Sequence, residues 1–132
     1  MTTKILRLAL IGAGQRGFEV FGKYGLNHPQ QYKFTAVCDT DPEKLKRFSR
    51  YHHIPAQYQF TDYRALLNMN SVFDAVIIAT MDQAHLEPAL LCIKKKYPLF
   101  LEKPIAHTLA DSIRIVEAAE KENVILQVAH PL

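Results

Sequence analysis

Three glycines at a fixed spacing are the residues of this chain best suited to binding a phosphate. Gly12, Gly14 and Gly17 form a G-x-G-x-x-G pattern directly after an apolar run. A strand that ends in a glycine turn and continues as a helix directs the free N–H groups of that helix at an anion in the turn. The first glycine allows a tight turn, the second lets a pyrophosphate approach the backbone, and the third lets the helix lie close to its strand.

An aspartate after the second apolar run narrows the predicted ligand to a dinucleotide. Asp39 follows Gly17 by about 20 residues, the spacing of the acidic side chain that binds the adenosine ribose hydroxyls. A carboxylate repels a 2′-phosphate, so the prediction is NAD. NADP stays possible because Arg16, with Gln15 in the same predicted cofactor-binding loop, offers a phosphate a positive charge at the helix start. The alternative for Asp39 is an aspartate that caps its own turn.

Alternating strand and helix patterns place these residues at strand ends. Apolar and β-branched runs predict strands over residues 5–11, 32–38, 58–60, 74–80, 98–101 and about 124–129, each followed or preceded by a helical pattern. Six alternations without an internal repeat predict one α/β domain over residues 1–132. The predicted fold is a doubly wound, parallel, six-stranded sheet of the Rossmann type.

Local signals set the limits of the predicted helices. The first helix is expected from Gly14 to about Leu26. Asp41 before Pro42 predicts the capped start of the second helix. Further along, Thr108 and Asp111 resemble a capping box. The spacing of Leu109, Ile113 and Val116 then predicts the buried face of the helix that follows it.

Composition excludes several classes of protein. The formal charge of +3 comes from 16 basic and 13 acidic side chains spread along the chain, so nucleic-acid binding is not predicted. The two cysteines are far apart and outside any C-x-x-C pattern, which favours neither a disulfide framework nor a structural zinc site. No apolar run approaches the length of a signal peptide core or a membrane span. A cytoplasmic protein without membrane contact is expected.

In a doubly wound sheet the ligand lies beyond the carboxyl ends of the strands, where the strand order reverses. Polar residues collect at these ends: Thr80 after the fourth strand, Glu102 and Lys103 after the fifth, and His130 after the sixth. The predicted site therefore combines the glycine loop with residues from three later strands.

The stretch from Ala79 to His85, together with Glu102-Lys103-Pro104 and the glycine loop, resembles the NAD(P)-binding N-terminal domain of the Gfo/Idh/MocA oxidoreductase family. The resemblance covers essentially the whole chain, and the Glu-Lys-Pro triplet is its specific part. It implies hydride transfer between a nicotinamide ring and a carbon–oxygen centre of a small sugar, polyol or cyclitol-like substrate.

The resemblance also implies roles for individual residues. Lys103 is the expected catalytic residue, which contacts the substrate and handles a proton, and its bond to Pro104 is expected to be cis. Thr80 and Glu102 are expected near the nicotinamide ribose. Asp82 stands, after Met81, where the family more usually has Pro-Asn, and it is included with His85 among the cofactor-binding residues. The alternative for His85 is a capping or packing histidine.

Members of this family continue into a C-terminal α+β domain that supplies much of the substrate pocket, the usual catalytic histidine and often the oligomer interface. The chain stops before that domain, so it is expected to be a truncated domain, inactive alone and a possible homo-oligomer when full-length; the alternative is a natural single-domain relative. Two other functions stay open: a non-catalytic dinucleotide-binding or sensor module, and an S-adenosylmethionine methyltransferase, which also uses a glycine-rich first turn.

Overall fold

Six parallel strands form one sheet in the computed structural model, which describes residues 4–129. The strands are β1 Leu6–Ile11, β2 Tyr32–Cys38, β3 Gln59–Phe60, β4 Ala75–Ile78, β5 Leu99–Glu102 and β6 Leu126–Ala129. Their order across the sheet is β3-β2-β1-β4-β5-β6, so the winding reverses between β1 and β4. The predicted doubly wound, six-stranded parallel sheet is confirmed. The predicted strand end at His130 lies outside the described residues.

Helical segments connect the strands, and two of them begin at the caps predicted from the sequence. They are a π-helix at Arg16–Gly22, α1 Lys23–Asn27, α2 Pro42–His52, a 3₁₀ turn at Ala56–Tyr58, α3 Tyr63–Leu67, a 3₁₀ turn at Asp82–Ala84, α4 Leu86–Lys94 and α5 Leu109–Glu122. Asp41 accepts a hydrogen bond from the N–H of Glu43 at 2.9 Å, and the Thr108 hydroxyl accepts one from the N–H of Asp111 at 3.1 Å.

The first helix has a different form from the one predicted. Its extent agrees with the sequence pattern, but Arg16–Gly22 is wound as a π-helix before α1 begins. This segment packs closely against its neighbours because a glycine, which has no side chain, stands at each of two contact positions. A Cβ on Gly17 would lie 2.2 Å from the carbonyl oxygen of Gly12, and one on Gly22 would lie 3.0 Å from a ring carbon of Phe48.

The core lies on both faces of the sheet, as near-continuous apolar strands predict. Along β1, Ala9 and Ile11 belong to the cluster covered by α3, α4 and α5, whereas Leu8 and Leu10 belong to the cluster under the first helix and α2. Successive side chains of a strand point to opposite faces, so β1 contributes to both clusters. The central strand is thus packed on both of its faces, and it leads directly into the glycine loop.

The predicted buried face of α5 is wrong for Leu109 and Ile113, whereas Val116 is half-buried. Leu109 and Ile113 are 77% and 46% exposed, while Ile115 and Ala119 are buried. Both pairs have the i, i+4 spacing of a helical stripe, so spacing alone does not choose between them. The packing of α5 on α4 decides which stripe is buried, because α4 lies on the side of α5 that carries Ile115.

Among the side chains described in residues 4–129, which exclude that of Asp82, no cluster of three or more histidine, cysteine or acidic groups is placed to hold a metal ion. Cys38 and Cys92 are buried free thiols. No helix in this part of the chain has the length and apolar character needed to cross a membrane.

An ion pair at the start of the sheet makes stability depend on acid pH. Asp74 accepts hydrogen bonds from the Arg7 guanidinium at 3.0 Å and from the Arg7 backbone N–H at 2.9 Å. These bonds, the side-chain one first, lower the pKa of Asp74 from 3.8 to about 2. The unfolded chain therefore binds this proton more readily, so the stabilisation is present above pH 4 and lost as the pH falls toward 2.

Asp74→Asn is expected to flatten the fall in unfolding free energy between about pH 4 and pH 2. Urea unfolding at several pH values measures this slope. Lys4→Met is the control, because Lys4 is 76% exposed and its ammonium lies 3.5 Å from Asp74, so its loss changes the slope little. An unchanged slope in Asp74→Asn would contradict this account.

Candidate cofactor-binding site

The carboxyl ends of β1, β2, β3 and β4 surround a cleft of about 370 Å³. Gly12 follows β1, Asp39 follows β2, and Thr80 follows β4, and all three line the cleft. Ala13, between the glycines, is fully buried. The sheet thus brings together three residues that the sequence predicted for cofactor binding, at the point where the strand order reverses.

Two of the three glycines in the loop make the close backbone contacts expected of them, and the third has open space beside it. Gly12 has φ of +99°, and a Cβ there would lie 2.7 Å from the backbone nitrogen of Thr80. Gly17 allows the helix to touch the carbonyl of Gly12. Gly14 is different, because the nearest atom to a Cβ built there is the Lys44 ammonium nitrogen, 3.9 Å away. Space therefore remains open beside Gly14, where a pyrophosphate would approach the backbone.

The Asp39 carboxylate links the glycine loop to the turn after β2. Its Oδ2 atom accepts a hydrogen bond from the N–H of Ala13 at 2.8 Å, and its Oδ1 atom accepts one from the N–H of Asp41 at 2.8 Å. Asp39 therefore does cap its own turn. Each carboxylate oxygen can accept a second hydrogen bond, so the same side chain keeps acceptor capacity on the side of the cleft.

Two buried polar atoms at neighbouring strand ends have no hydrogen-bond partner. They are the Thr80 hydroxyl oxygen Oγ1 and the Glu102 carboxylate oxygen Oε2, and no other such atom is found among the side chains that the structure describes. Buried polar atoms are normally paired, so each exception calls for an explanation. An absent ligand with hydroxyl groups would provide one at both positions.

Glu102 is also paired with the glycine loop through its other oxygen. Arg16 Nη2 lies 3.3 Å from Glu102 Oε1, with the Glu102 side chain 11% exposed and the Arg16 side chain 43% exposed. This pair partly neutralises a carboxylate that would otherwise be buried and alone. It also ties the start of the first helix to the end of β5.

His85 is fully buried between two loops of the site. Its Nε2 atom lies 2.9 Å from the carbonyl oxygen of Thr80, and its Nδ1 atom lies 3.0 Å from that of Pro104 and 3.2 Å from that of Ile105. Carbonyl oxygens only accept, so a ring nitrogen needs a hydrogen to bond to one of them. The histidine thus connects the loop after β4 to the loop after β5.

The remaining predicted residues lie around this arrangement. Lys103 is exposed beyond the end of β5, and its bond to Pro104 is cis, as predicted. Gln15 is exposed at the start of the π-helix and makes no side-chain capping bond there. The backbone of Asp82 starts a 3₁₀ turn, and its side chain lies outside the described structure.

The loop after β3 also lines the cleft, and sequence reasoning missed its role. Asp62 caps α3, Tyr63 begins it, and the Arg64 guanidinium stacks over the Tyr63 ring at 4.7 Å from the ring centre. Arg64 also lies 3.4 Å from Asp62. The available signal was the position of these residues directly after β3, because the carboxyl ends of all parallel strands lie at one edge of the sheet.

The Cys38 thiol in the cleft is not reactive as a nucleophile. Burial, with the nearby Asp39 and Asp62 carboxylates, raises the pKa of Cys38 to about 12. A thiol with this pKa stays protonated and does not act as a nucleophile at neutral pH.

A second cavity of about 480 Å³ lies against the sheet, away from the glycine loop. Leu6, Leu8, Phe21, Phe100 and Ile125 are among its lining residues, which are almost all apolar. It lacks the polar groups that orient a dinucleotide, so the chemistry belongs to the cleft at the strand ends.

Comparison with known proteins agrees with this geometry. The profile of the oxidoreductase family with an NAD-binding Rossmann fold, Gfo/Idh/MocA, matches residues 6–130. Among curated relatives, inositol 2-dehydrogenase of Acidothermus cellulolyticus is 33% identical over 122 residues, which cover 89% of this chain and 33% of that protein. Alpha-N-acetylgalactosaminidase of Shewanella oneidensis is 31% identical over 127 residues, covering 89% of this chain and 27% of the relative.

Solved structures show the same fold. The WlbA dehydrogenase of Chromobacterium violaceum, in complex with NADH and UDP-GlcNAcA, superposes with a TM-score of 0.87 at 25% identity, over 98% of this chain and 36% of that one. An oxidoreductase of Agrobacterium radiobacter, in complex with NAD+, L-tartaric acid and magnesium, gives a TM-score of 0.83 at 30% identity, over 95% and 35% of the two chains.

The chain spans about a third or less of the length of the curated relatives described above. The family match, by contrast, extends over nearly all of the chain and includes the glycine loop, Asp39 and the Glu102-Lys103-Pro104 triplet. NAD, the predicted cofactor, is the ligand of this family's Rossmann fold. This chain belongs to the Gfo/Idh/MocA family of oxidoreductases.

Proposed function

We propose that this chain is the cofactor-binding domain of a dehydrogenase that transfers hydride between NAD and a sugar, polyol or cyclitol-like substrate. The observation that carries the proposal is the pair of unpartnered atoms, Thr80 Oγ1 and Glu102 Oε2, at adjacent strand ends beside the glycine loop. A ribose offers hydroxyl groups to both, and the open space at Gly14 suits a pyrophosphate.

The residues present fit three parts of a dinucleotide, namely the pyrophosphate and the two riboses. The glycine loop and the start of the first helix would hold the pyrophosphate, Asp39 the adenosine ribose, and Thr80 with Glu102 the nicotinamide ribose. Gln15 and Arg16, in the glycine loop, and Asp82, in the segment after β4, would be the other residues that contact the cofactor. When bound, the nicotinamide ring accepts or supplies the hydride.

The proposal assigns Lys103 the role of acting on the substrate. Its side chain is exposed at the end of β5, directly after Glu102. An ammonium beside a reacting hydroxyl donates a hydrogen bond to it and stabilises negative charge as it develops on the oxygen. A second domain would supply the rest of the substrate pocket and the partner for proton transfer, so residues 1–132 alone would bind the cofactor weakly and turn over little or no substrate.

Isothermal titration calorimetry of this chain with NADH, NADPH and S-adenosylmethionine tests the cofactor class. Binding of NADH, with weaker binding of NADPH, is expected. Binding of S-adenosylmethionine alone would instead favour a methyltransferase. Robust NAD-dependent turnover of a sugar by the chain alone would contradict its proposed status as the cofactor half of a larger enzyme.

A second candidate activity comes from the relatives themselves. The similarity to an alpha-N-acetylgalactosaminidase is close to the similarity to an inositol dehydrogenase, with identities of 31% and 33%. A glycosidase built on this domain would release sugar without net conversion of NAD+ to NADH. Absorbance of NADH during turnover by the full-length protein separates the two reactions.

The choice between NAD and NADP is predicted to depend on Asp39. Asp39→Asn is expected to weaken NADH binding about tenfold and to raise the affinity for NADPH relative to NADH, because the substitution removes the charge that repels a 2′-phosphate. Calorimetry with both nucleotides measures the ratio.

Asp41→Asn is the matched control, since the Asp41 side chain accepts a hydrogen bond from the N–H of Glu43 at the start of α2 and asparagine can make the same bond. It is expected to leave the NADPH-to-NADH ratio unchanged. A ratio that moves equally in both variants would contradict the role given to Asp39.

A further inference from the structure

The contacts of His85 are unusual for a packing residue. The ring is fully buried, yet both of its nitrogens face backbone carbonyls of other segments of the chain. One carbonyl belongs to Thr80, five residues earlier, and the others belong to Pro104 and Ile105, about twenty residues later. His85 also stands immediately before α4 without capping it through its side chain. A neutral imidazole has one N–H, so it donates a hydrogen bond to one loop and packs its other edge against the second loop, and its side chain makes no bond to its own helix.

The loop after β4 carries one of the unpartnered atoms, and the loop after β5 lies next to the other. Thr80 supplies both the carbonyl that His85 contacts and the buried hydroxyl without a partner. Pro104 lies two residues beyond Glu102, whose Oε2 atom also lacks a partner, and directly after Lys103. The separation of the two loops sets the distance between Thr80 Oγ1 and Glu102 Oε2. The buried ring of His85 lies between the loops and contacts both.

We propose that His85 is a positioning residue, which holds the loops after β4 and β5 at the separation that lets Thr80 and Glu102 bind one ribose. This inference rests on the proposed function, because it assigns the nicotinamide ribose to those two side chains. It places His85 outside direct contact with the cofactor: the ring acts through the backbone of Thr80 and Pro104.

Affinity for two nucleotides distinguishes positioning from general packing. NADH reaches the strand ends of β4 and β5, whereas ADP carries the adenosine and pyrophosphate and lacks the nicotinamide ribose. His85→Leu fills most of the same volume without hydrogen bonds. It is expected to weaken NADH binding about tenfold and to change ADP binding less than about twofold. Equal losses for NADH and ADP, or no loss for NADH, would overturn the proposal.

A double-mutant cycle tests whether His85 acts through Thr80. Thr80→Val removes the hydroxyl and keeps the methyl group, which packs near Gly12. If His85 positions that hydroxyl, the loss of NADH affinity caused by His85→Leu is smaller in the Thr80→Val background than in the wild type. Losses that simply multiply would show that the two residues act independently and would overturn the proposed coupling.

His85→Gln keeps the test decisive if His85→Leu does not fold. The glutamine amide still donates a hydrogen bond, so its NADH affinity is expected to lie between those of the wild type and of a variant without a donor, such as His85→Met. Affinity no better than that of His85→Met would count against positioning by hydrogen bonds. If the wild-type chain bound neither NADH nor ADP, the proposed function would fail; normal wild-type binding with parallel losses in the variants would defeat only the role of His85.

Discussion

Gly17→Ala is expected to lower the free energy of unfolding by about 3 kcal/mol. A Cβ at this position would lie 2.2 Å from the carbonyl oxygen of Gly12 and 3.1 Å from the Leu10 side chain. The nearest atom belongs to the backbone of the buried loop after β1, so relief requires the first helix to move away from the sheet. Urea denaturation followed by circular dichroism measures the change.

Gly14→Ala is the matched control in the same loop. Its Cβ would meet only the end of Lys44 at 3.9 Å, so the free energy of unfolding is expected to stay within about 0.5 kcal/mol of the wild type. NADH binding by this folded variant is nevertheless expected to weaken at least about tenfold, because the methyl group occupies the space beside the backbone where the pyrophosphate binds. Equal stability losses in the two variants would contradict the steric roles given to these glycines.

Lys103→Ala is expected to lower kcat about a thousandfold in the full-length oxidoreductase that we propose, while the fold is retained. The expected cause is the loss of the ammonium that stabilises charge on the reacting oxygen. Lys103 is exposed, so its removal leaves no buried partner unpaired. Steady-state kinetics with NAD and a sugar or polyol substrate measures the effect.

Lys94→Ala provides the comparison for that variant. Lys94 is an exposed lysine at the end of α4 and belongs to no predicted site, so its replacement is expected to leave kcat unchanged. If Lys103→Ala kept full activity, Lys103 would be dispensable, and a dinucleotide-binding module without a catalytic lysine would become the better description.

The elements of this fold were largely predictable because their signals are local. The apolar run of β4 and the Asp41 cap of α2 each depend on a few neighbouring residues. The face of α5 was not predictable, since Leu109 and Ile113 satisfy helical spacing as well as Ile115 and Ala119 do. Only the packing of α5 on α4 determines which stripe is buried.

Part of the lining of the cleft was predictable from the sequence. Gly12, Asp39 and Thr80 follow strands that the sequence indicates, and parallel strands bring such ends to one edge. The loop of Asp62, Tyr63 and Arg64 was missed because β3 has only two residues, and because its place beside β2 depends on the strand order.

The Rossmann sheet and its glycine loop follow from local spacing and residue type, so they could be read from the amino-acid sequence. Which distant atoms meet depends on the folded structure. It pairs Arg16 with Glu102, leaves Thr80 Oγ1 and Glu102 Oε2 without partners, and places His85 between the loops after β4 and β5. The physical reason is that such contacts depend on strand order and burial, which bring together residues far apart in the chain.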